Sequence, residues 1–338
     1  LYSVKGSVNG ISSGSLSLSL NNGVDTLSLS SDGDFSFSKQ LESGKAVEVS
    51  IPSPPANHMC QIANGSGVID NSDYALSVTC ESTPLSSHAC SGLAGGVWIP
   101  VPANSDVGQP VDFCVMKYEA KDVGGVPTSQ AAGTPWVHIY QTTSIAKCAS
   151  LGAGYELITN EMWQTIARNI ETAQSPPGTY LNWSNGSTSG ALNRGHSDGS
   201  SRALAADITG NPDDDPCVGT GQPNCSDNTD VDFTQKRTHT LSNGEVIWDL
   251  AGNVWEWTSS TLTSQGSNNY ISQNPASVPD AAAGKLKWGP EGDYSSKNSG
   301  EYGGLGYGFL AYSGGAVLRG GDWLDGTYAG VFYATLYL

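Results

Sequence analysis

Histidines, cysteines and carboxylates are the groups with which this chain could do chemistry, and their spacing is the first thing to weigh. The five histidines, His58, His88, His138, His196 and His239, are scattered without the short intervals of a metal-ligand set. His196 lies in Arg194-Gly-His-Ser-Asp198, which can be read as a fragment of a hydrolytic site, although an ordinary structural loop carries more weight. No Gly-x-Ser-x-Gly nucleophile elbow and no phosphate-binding loop occurs. Oxygen ligands suit calcium, and the turn from Asn253 to Glu256 offers a side-chain amide, main-chain carbonyls and a carboxylate for it. Asp213-Asp-Asp215 is a second acidic stretch, for which a solvated loop is the stronger reading. None of the seven cysteines stands in a Cys-x-x-Cys zinc arrangement, so they point to an oxidising compartment and to disulfides. The expected pairs are Cys60 with Cys80, Cys90 with Cys114 and Cys217 with Cys225, which leaves Cys148 over.

Such groups need elements to hold them. The run from Trp248 to Trp257 reads Trp-Asp-Leu-Ala-Gly-Asn-Val-Trp-Glu-Trp, and Leu318-Arg-Gly-Gly-Asp-Trp323 follows some sixty residues on. Tryptophan is costly to expose and its N–H needs a partner when buried, so both segments predict backbone packed around aromatic anchors. Gly252 and the Gly320-Gly321 pair permit the positive φ or close approach that such packing needs. Residues 1–82 alternate apolar and polar with period two, at Leu16-Ser-Leu-Ser-Leu20, Leu27-Ser-Leu29, Phe35-Ser-Phe37, Val47-Glu-Val49 and Tyr74-Ala-Leu-Ser-Val78. Asn21-Asn22-Gly23 and Ser31-Asp32-Gly33 are turn signals between those runs. Five or six short strands at this spacing predict an immunoglobulin-like sandwich acting as a stalk. Residues 83–91 form a Ser/Thr/Pro-rich linker, and residues 92–338 form a second domain. Within it, Ser144 to Leu151 and Asn160 to Thr172 look helical, with Asn160 as N-cap and Met162, Ile166 and Ile170 on one face. Residues 182–232 and 263–304 are long polar loops, the kind that is functional or held by ions and cross-links.

Composition bounds what these elements can serve. A length of 338 residues predicts two domains; 42 glycines and only 14% charged residues describe a loop-rich, β-leaning protein. The net charge of −17, with 15 Lys plus Arg, argues against nucleic acid, whose phosphates need clustered cations. No apolar run is long enough to span a membrane. No signal peptide opens the chain, which predicts a mature form.

The two tryptophan–glycine segments, together with Phe113-Cys-Val-Met-Lys-Tyr-Glu-Ala-Lys121 and the stretch from Cys148 to Ile170, resemble the formylglycine-generating-enzyme-like branch of the C-type lectin fold. The resemblance covers about three quarters of the chain, from roughly Gly92 onward, and implies an α+β class for that domain. It implies a structural calcium near Asn253, with Glu256 matching a ligand. The enzymes of that family oxidise a cysteine in sulfatases with a copper-binding cysteine pair near the C-terminus. This chain has no cysteine after Cys225, so the resemblance leaves that oxidoreductase activity as a remote alternative, and no redox cofactor is expected. Family members commonly close on a strand that can end in Cys, so Cys148 is expected to have lost its partner by truncation.

From Leu318 onward the text also resembles the variable region of proteins diversified by retroelements. Carried over position by position, the exchangeable residues are Asp322, Leu324, Asp325, Thr327, Tyr328, Tyr333, Thr335, Tyr337 and Leu338. The fixed frame is Arg319, Gly320, Gly321, Trp323, Gly330, Val331, Phe332 and Leu336; Tyr307 and Tyr312 are further candidates for exchange. The tyrosines suit recognition independently, since each gives a large contact area at low entropy cost; packing of Tyr328 and Tyr333 in the core is the competing reading. The expectation is a binding protein, not an enzyme, secreted or held at the outer membrane as a lipoprotein whose N-terminus has been removed. Its partner would be a protein or glycan on another cell or surface. A non-variable adhesin or glycan-binding domain is the alternative.

Overall fold

The computed structural model describes residues 1–11, 15–55, 58–82, 87–199, 202–207, 215–262, 288–292, 294, 302–309 and 315–337. The chain divides into two compact units, one of Leu1–Leu85, Ala103–Ser105 and Pro110–Asp112, the other of Ser86–Pro102, Asp106–Gln109 and Phe113–Leu338.

The first unit is all strand: β1 (Tyr2–Asn9), β2 (Leu16–Leu20), β3 (Asp25–Leu29), β4 (Gly33–Leu41), β5 (Ala46–Ser53), β6 (His58–Ala63), β7 (Ser66–Val68) and β8 (Tyr74–Ser82). These are eight strands where the alternation predicts five or six. They form two four-stranded sheets, ordered β4-β1-β8-β6 and β3-β2-β5-β7, in which β1 and β8 run parallel. Period-two alternation sends Leu16, Leu18, Leu20, Phe35, Phe37, Val47, Val49, Leu76 and Val78 into one shared core. Asn21 (φ 46°) and Asn22 (φ 57°) make the β2–β3 turn, and the Asn21 side chain latches it to β5. Its Nδ2 donates to Ala46 O at 2.9 Å and its Oδ1 accepts from Glu48 N at 2.7 Å. Cys60 and Cys80 face each other across β6 and β8 and are joined.

In the second unit regular structure is sparser. It holds three hairpin-sized pairs: β9 (Trp98–Val101) with β10 (Phe113–Met116), β11 (Ala120–Val123) with β12 (Val126–Ser129), and β13 (Thr238–Thr240) with β14 (Val246–Trp248). A four-stranded sheet runs in the order β15 (Glu256–Leu262), β17 (Gly315–Arg319), β18 (Ala334–Tyr337), β16 (Gly308–Phe309). The helices are α1 (Gln141–Ala149) and α2 (Asn160–Thr172). The α+β C-type lectin fold implied by the resemblance is overturned: among the described residues strands account for 35% and helices for 14%, with two α-helices and several small sheets. The cause is local, because the described segments without period-two or helical patterning are turns rich in Gly, Asn and Ser.

Helix α2 starts where its pattern predicts, but the cap is Thr159, whose Oγ1 accepts from Met162 N at 3.1 Å. Asn160 is released from capping and buried. Trp163, Ile166 and Ile170 form the core face, with Met162 at its margin. They pack with Val101, Trp183, Leu192, Leu250, Val331 and Phe332. Disulfides join Cys90 to Cys114 and Cys217 to Cys225, and Cys148 carries a free thiol. Among the described residues no helix is long and apolar enough to cross a membrane.

Candidate functional site

The C-terminal segment leaves β17 at Arg319, turns, and returns along β18. Arg319 is fully buried and clamps this return to α2. Its Nη2 and Nε donate to Asn160 Oδ1 at 2.7 and 3.0 Å, its Nη1 donates to Tyr333 O at 3.3 Å, and its guanidinium lies over the Trp288 ring. Gly321 has φ 82°, and a Cβ there would come within 2.8 Å of Ala329 Cα, so the turn closes only with glycine. Val331, Phe332 and Leu336 are buried on the inner side, and Trp163 Nε1 donates to Val331 O at 2.8 Å. The positions assigned to the fixed frame are therefore all buried except Trp323, which is half-buried.

The positions assigned to exchange lie elsewhere. Leu324 (64% exposed), Tyr328 (48%) and Tyr337 (55%) are exposed, while Asp322, Asp325, Thr327 and Thr335 are half-buried. Tyr333 departs from this expectation and is 7% exposed. Burial, with the charges of Asp325 and Asp322, pushes its phenol well above the usual tyrosine range, and a hydrogen bond to Thr335 opposes this. Thr335 and Tyr337 share one side of β18, with Ala334 and Leu336 turned inward, and Tyr333 lies just before the strand. Tyr328 packs edge-on against Tyr307 at 5.0 Å and Tyr337 against Trp257 at 5.5 Å. Asp325 also holds the frame: its Oδ2 accepts from Asp322 N at 2.8 Å and from Trp255 Nε1 at 2.7 Å. Leu338 and Tyr312 lie outside the described residues.

Beside the turn opens a cleft of about 280 Å³ whose lining includes Glu119, Trp136, Cys148, Trp255, Glu256 and Trp323. Gly252 (φ 76°) and Asn253 (φ 59°) make the predicted turn at its edge. The Asn253 amide is hydrogen-bonded on both sides: its Oδ1 accepts from Leu204 N at 2.8 Å, and its Nδ2 donates to Glu119 Oε2 at 2.5 Å and Leu204 O at 3.2 Å. Glu256, the other residue expected near calcium, lines the cleft beside this turn. Among the described residues no group of three or more His, Cys, Asp or Glu side chains could hold a metal. Asp213 and Asp214 lie outside the described residues, while Asp215 Oδ1 accepts from Cys217 N at 3.1 Å.

Buried charge surrounds the cleft. Burial and the Asp249 charge hold Glu256 up at about 8 and push Glu119 well above the carboxylate range, with Lys121 opposing both. Lys121, 2% exposed, is itself pushed down by burial. Asp249 is committed to Arg237 in a fully buried bidentate pair, Nη2 to Oδ2 at 2.6 Å and Nε to Oδ1 at 2.7 Å. None of Glu119, Lys121, Arg237 and Asp249 was singled out by sequence reasoning. Phe113 to Lys121 was visible as a strand-like motif, but nothing in it said that Glu119 reaches a partner 134 residues on. His196 is structural: its carbonyl accepts from Asn253 N at 2.7 Å, and burial lowers its imidazole pKa. Burial pushes the Cys148 thiol up, away from nucleophilic chemistry.

No family model matches the sequence, and no curated protein matches it.

Proposed function

We propose that this is a surface-displayed binding protein whose ligand is held by the side chains of the Asp322 to Tyr337 segment, diversified by a retroelement on an invariant frame. The observation that carries the reading is the partition of burial within one segment. Frame positions Arg319, Gly320, Gly321, Gly330, Val331, Phe332 and Leu336 are buried, whereas the exchangeable positions among the described residues, Tyr333 excepted, reach the surface. Side chains such as Leu324, Thr327, Tyr328 and Tyr337 contribute contact area without carrying the core, so exchanging them changes what is bound and leaves folding intact, whereas Asp325 also braces the turn. The mechanism is recognition by a surface held in place before the partner arrives, which lowers the ordering cost of binding. Three disulfides suit an extracellular setting.

The test has a genetic and a physical arm. Sequencing the flanking DNA should find a reverse transcriptase and a near-identical template repeat of the segment encoding residues 319–337; absence of both overturns diversification. Replacing Leu324, Thr327 and Tyr328 together with Ser should shift unfolding by about 1 kcal/mol or less, while Phe332→Ala should cost about 3–5 kcal/mol. Equal costs in the two variants would overturn the division into frame and tips.

A further inference from the structure

The cleft beside the turn is left unused by that reading, because most of its lining lies outside the C-terminal segment. Four indoles line it, Trp136, Trp255, Trp257 and Trp323, together with the carboxyl residues Glu119, Glu256 and Asp322. Two of the indoles have their N–H committed, Trp255 to Asp325 and Trp257 to Ile139 O at 2.8 Å, so their rings are oriented and offer only carbon. Glu119 is 6% exposed, and its Oε1 has no hydrogen-bond partner among the described residues. A buried carboxyl oxygen without a donor is costly, and Lys121, whose Nζ likewise has no hydrogen-bond partner among the described residues, offsets it only in part, so a further positive charge in the cleft would relieve it. The lining also contains His138 and one lysine, Lys147. Lys147 is already engaged: Nζ donates to Gly125 O at 2.7 Å and lies 5.4 Å from the Trp136 ring centre. The Trp136 face therefore already lies beside a cationic group of the chain itself.

We propose that the cleft is a binding site for an alkylammonium group, with indole faces around its carbons and the carboxyl groups of Glu119 and Glu256 on its charged side. Burial and Asp249 hold both carboxyls toward the protonated form, and the entering cation draws out their ionisation, the protons leaving to solvent. A bare metal ion would find oxygen on one side and indole carbon on the others, whereas the set asks for a ligand at once greasy and cationic. The volume of about 280 Å³ accommodates a trimethylammonium headgroup or the end of a lysine side chain. This inference is independent of any diversification of the neighbouring segment.

The test uses the full chain with EDTA present, titrated with choline, with N-acetyl-lysine methylamide and with 3,3-dimethylbutan-1-ol, the neutral isostere of choline. Tryptophan fluorescence and calorimetry report binding. At least one ammonium probe should saturate, with the neutral isostere at least about tenfold weaker. Preference for choline assigns a quaternary headgroup, and preference for the lysine probe assigns a protein side chain. Glu119→Gln should weaken the preferred probe about tenfold. Trp136→Leu, at a half-buried wall position, should weaken it severalfold and keeps the test decisive if Glu119→Gln does not fold. Equal affinity for the neutral isostere, no saturation by either ammonium up to about 10 mM, or unchanged affinity in Trp136→Leu would each overturn the proposal.

Discussion

The two units solve the same problem by different means. In the first, strands recur in register and the core is a list of alternating Leu, Val and Phe, so the backbone pairs with itself. In the second, long stretches have no sheet partner, and buried polar side chains satisfy the backbone instead. Asn182 donates to Ile170 O and Thr240 O and accepts from Thr240 N, while Asn193 donates to Lys236 O and Thr238 O. The lesson is that volume holds the first unit, and specific donors and acceptors hold the second.

The largest expected break in that comparison is Arg237→Ala. It strands the Asp249 carboxylate in the second unit's interior and should cost about 3–5 kcal/mol in denaturant unfolding; a cost below about 1 kcal/mol would deny the pair its structural role. A sharper contrast uses near-isosteric changes. Asn193→Leu leaves two buried carbonyls without donors and should cost about 2–3 kcal/mol, whereas Leu18→Met keeps volume and should cost less than about 1.5 kcal/mol. Should the methionine variant lose as much as the leucine one, the two units do not differ in the way described.

The smallest effect is one of pH. Folding raises Glu256 from the ordinary 4.5 to about 8, so the folded state holds a proton that the unfolded chain has released. That contribution is complete below pH 4.5 and disappears as pH climbs through 8. Between pH 7 and 8 the second unit should lose about 1 kcal/mol on this account. Glu256→Gln, which cannot ionise, should flatten the decline relative to the parent chain, followed by thermal unfolding across that range. Identical pH profiles for the two proteins would show that Glu256 is ionised throughout.

Much of this architecture was legible from residue order. Alternation located five of the first unit's eight strands, Asn21-Asn22-Gly23 a turn between two of them, the spacing of Ile166 and Ile170 the helix α2, and the cysteine positions all three bridges. The glycines of the C-terminal turn announced a tight bend. Less legible was anything resting on a partner distant in the chain. Asn160 reads as a cap, yet it receives Arg319 from 159 residues on while Thr159 caps the helix. Asn253 makes the turn its neighbours predict, but nothing local announces Glu119 and Leu204 as the partners of its amide. Tyr333 reads as an exposed tip and is buried. The class of the second unit was misjudged for the same reason, because shared local motifs do not specify how strands assemble.

Local patterning therefore settled which segments extend, coil or turn, since periodicity and glycine placement act within a few residues. Which polar groups meet in the interior, and so where charge is stranded around the cleft, followed from packing alone. Hydrogen bonds and Coulomb forces act over a few ångströms of space, and sequence separation says nothing about that distance.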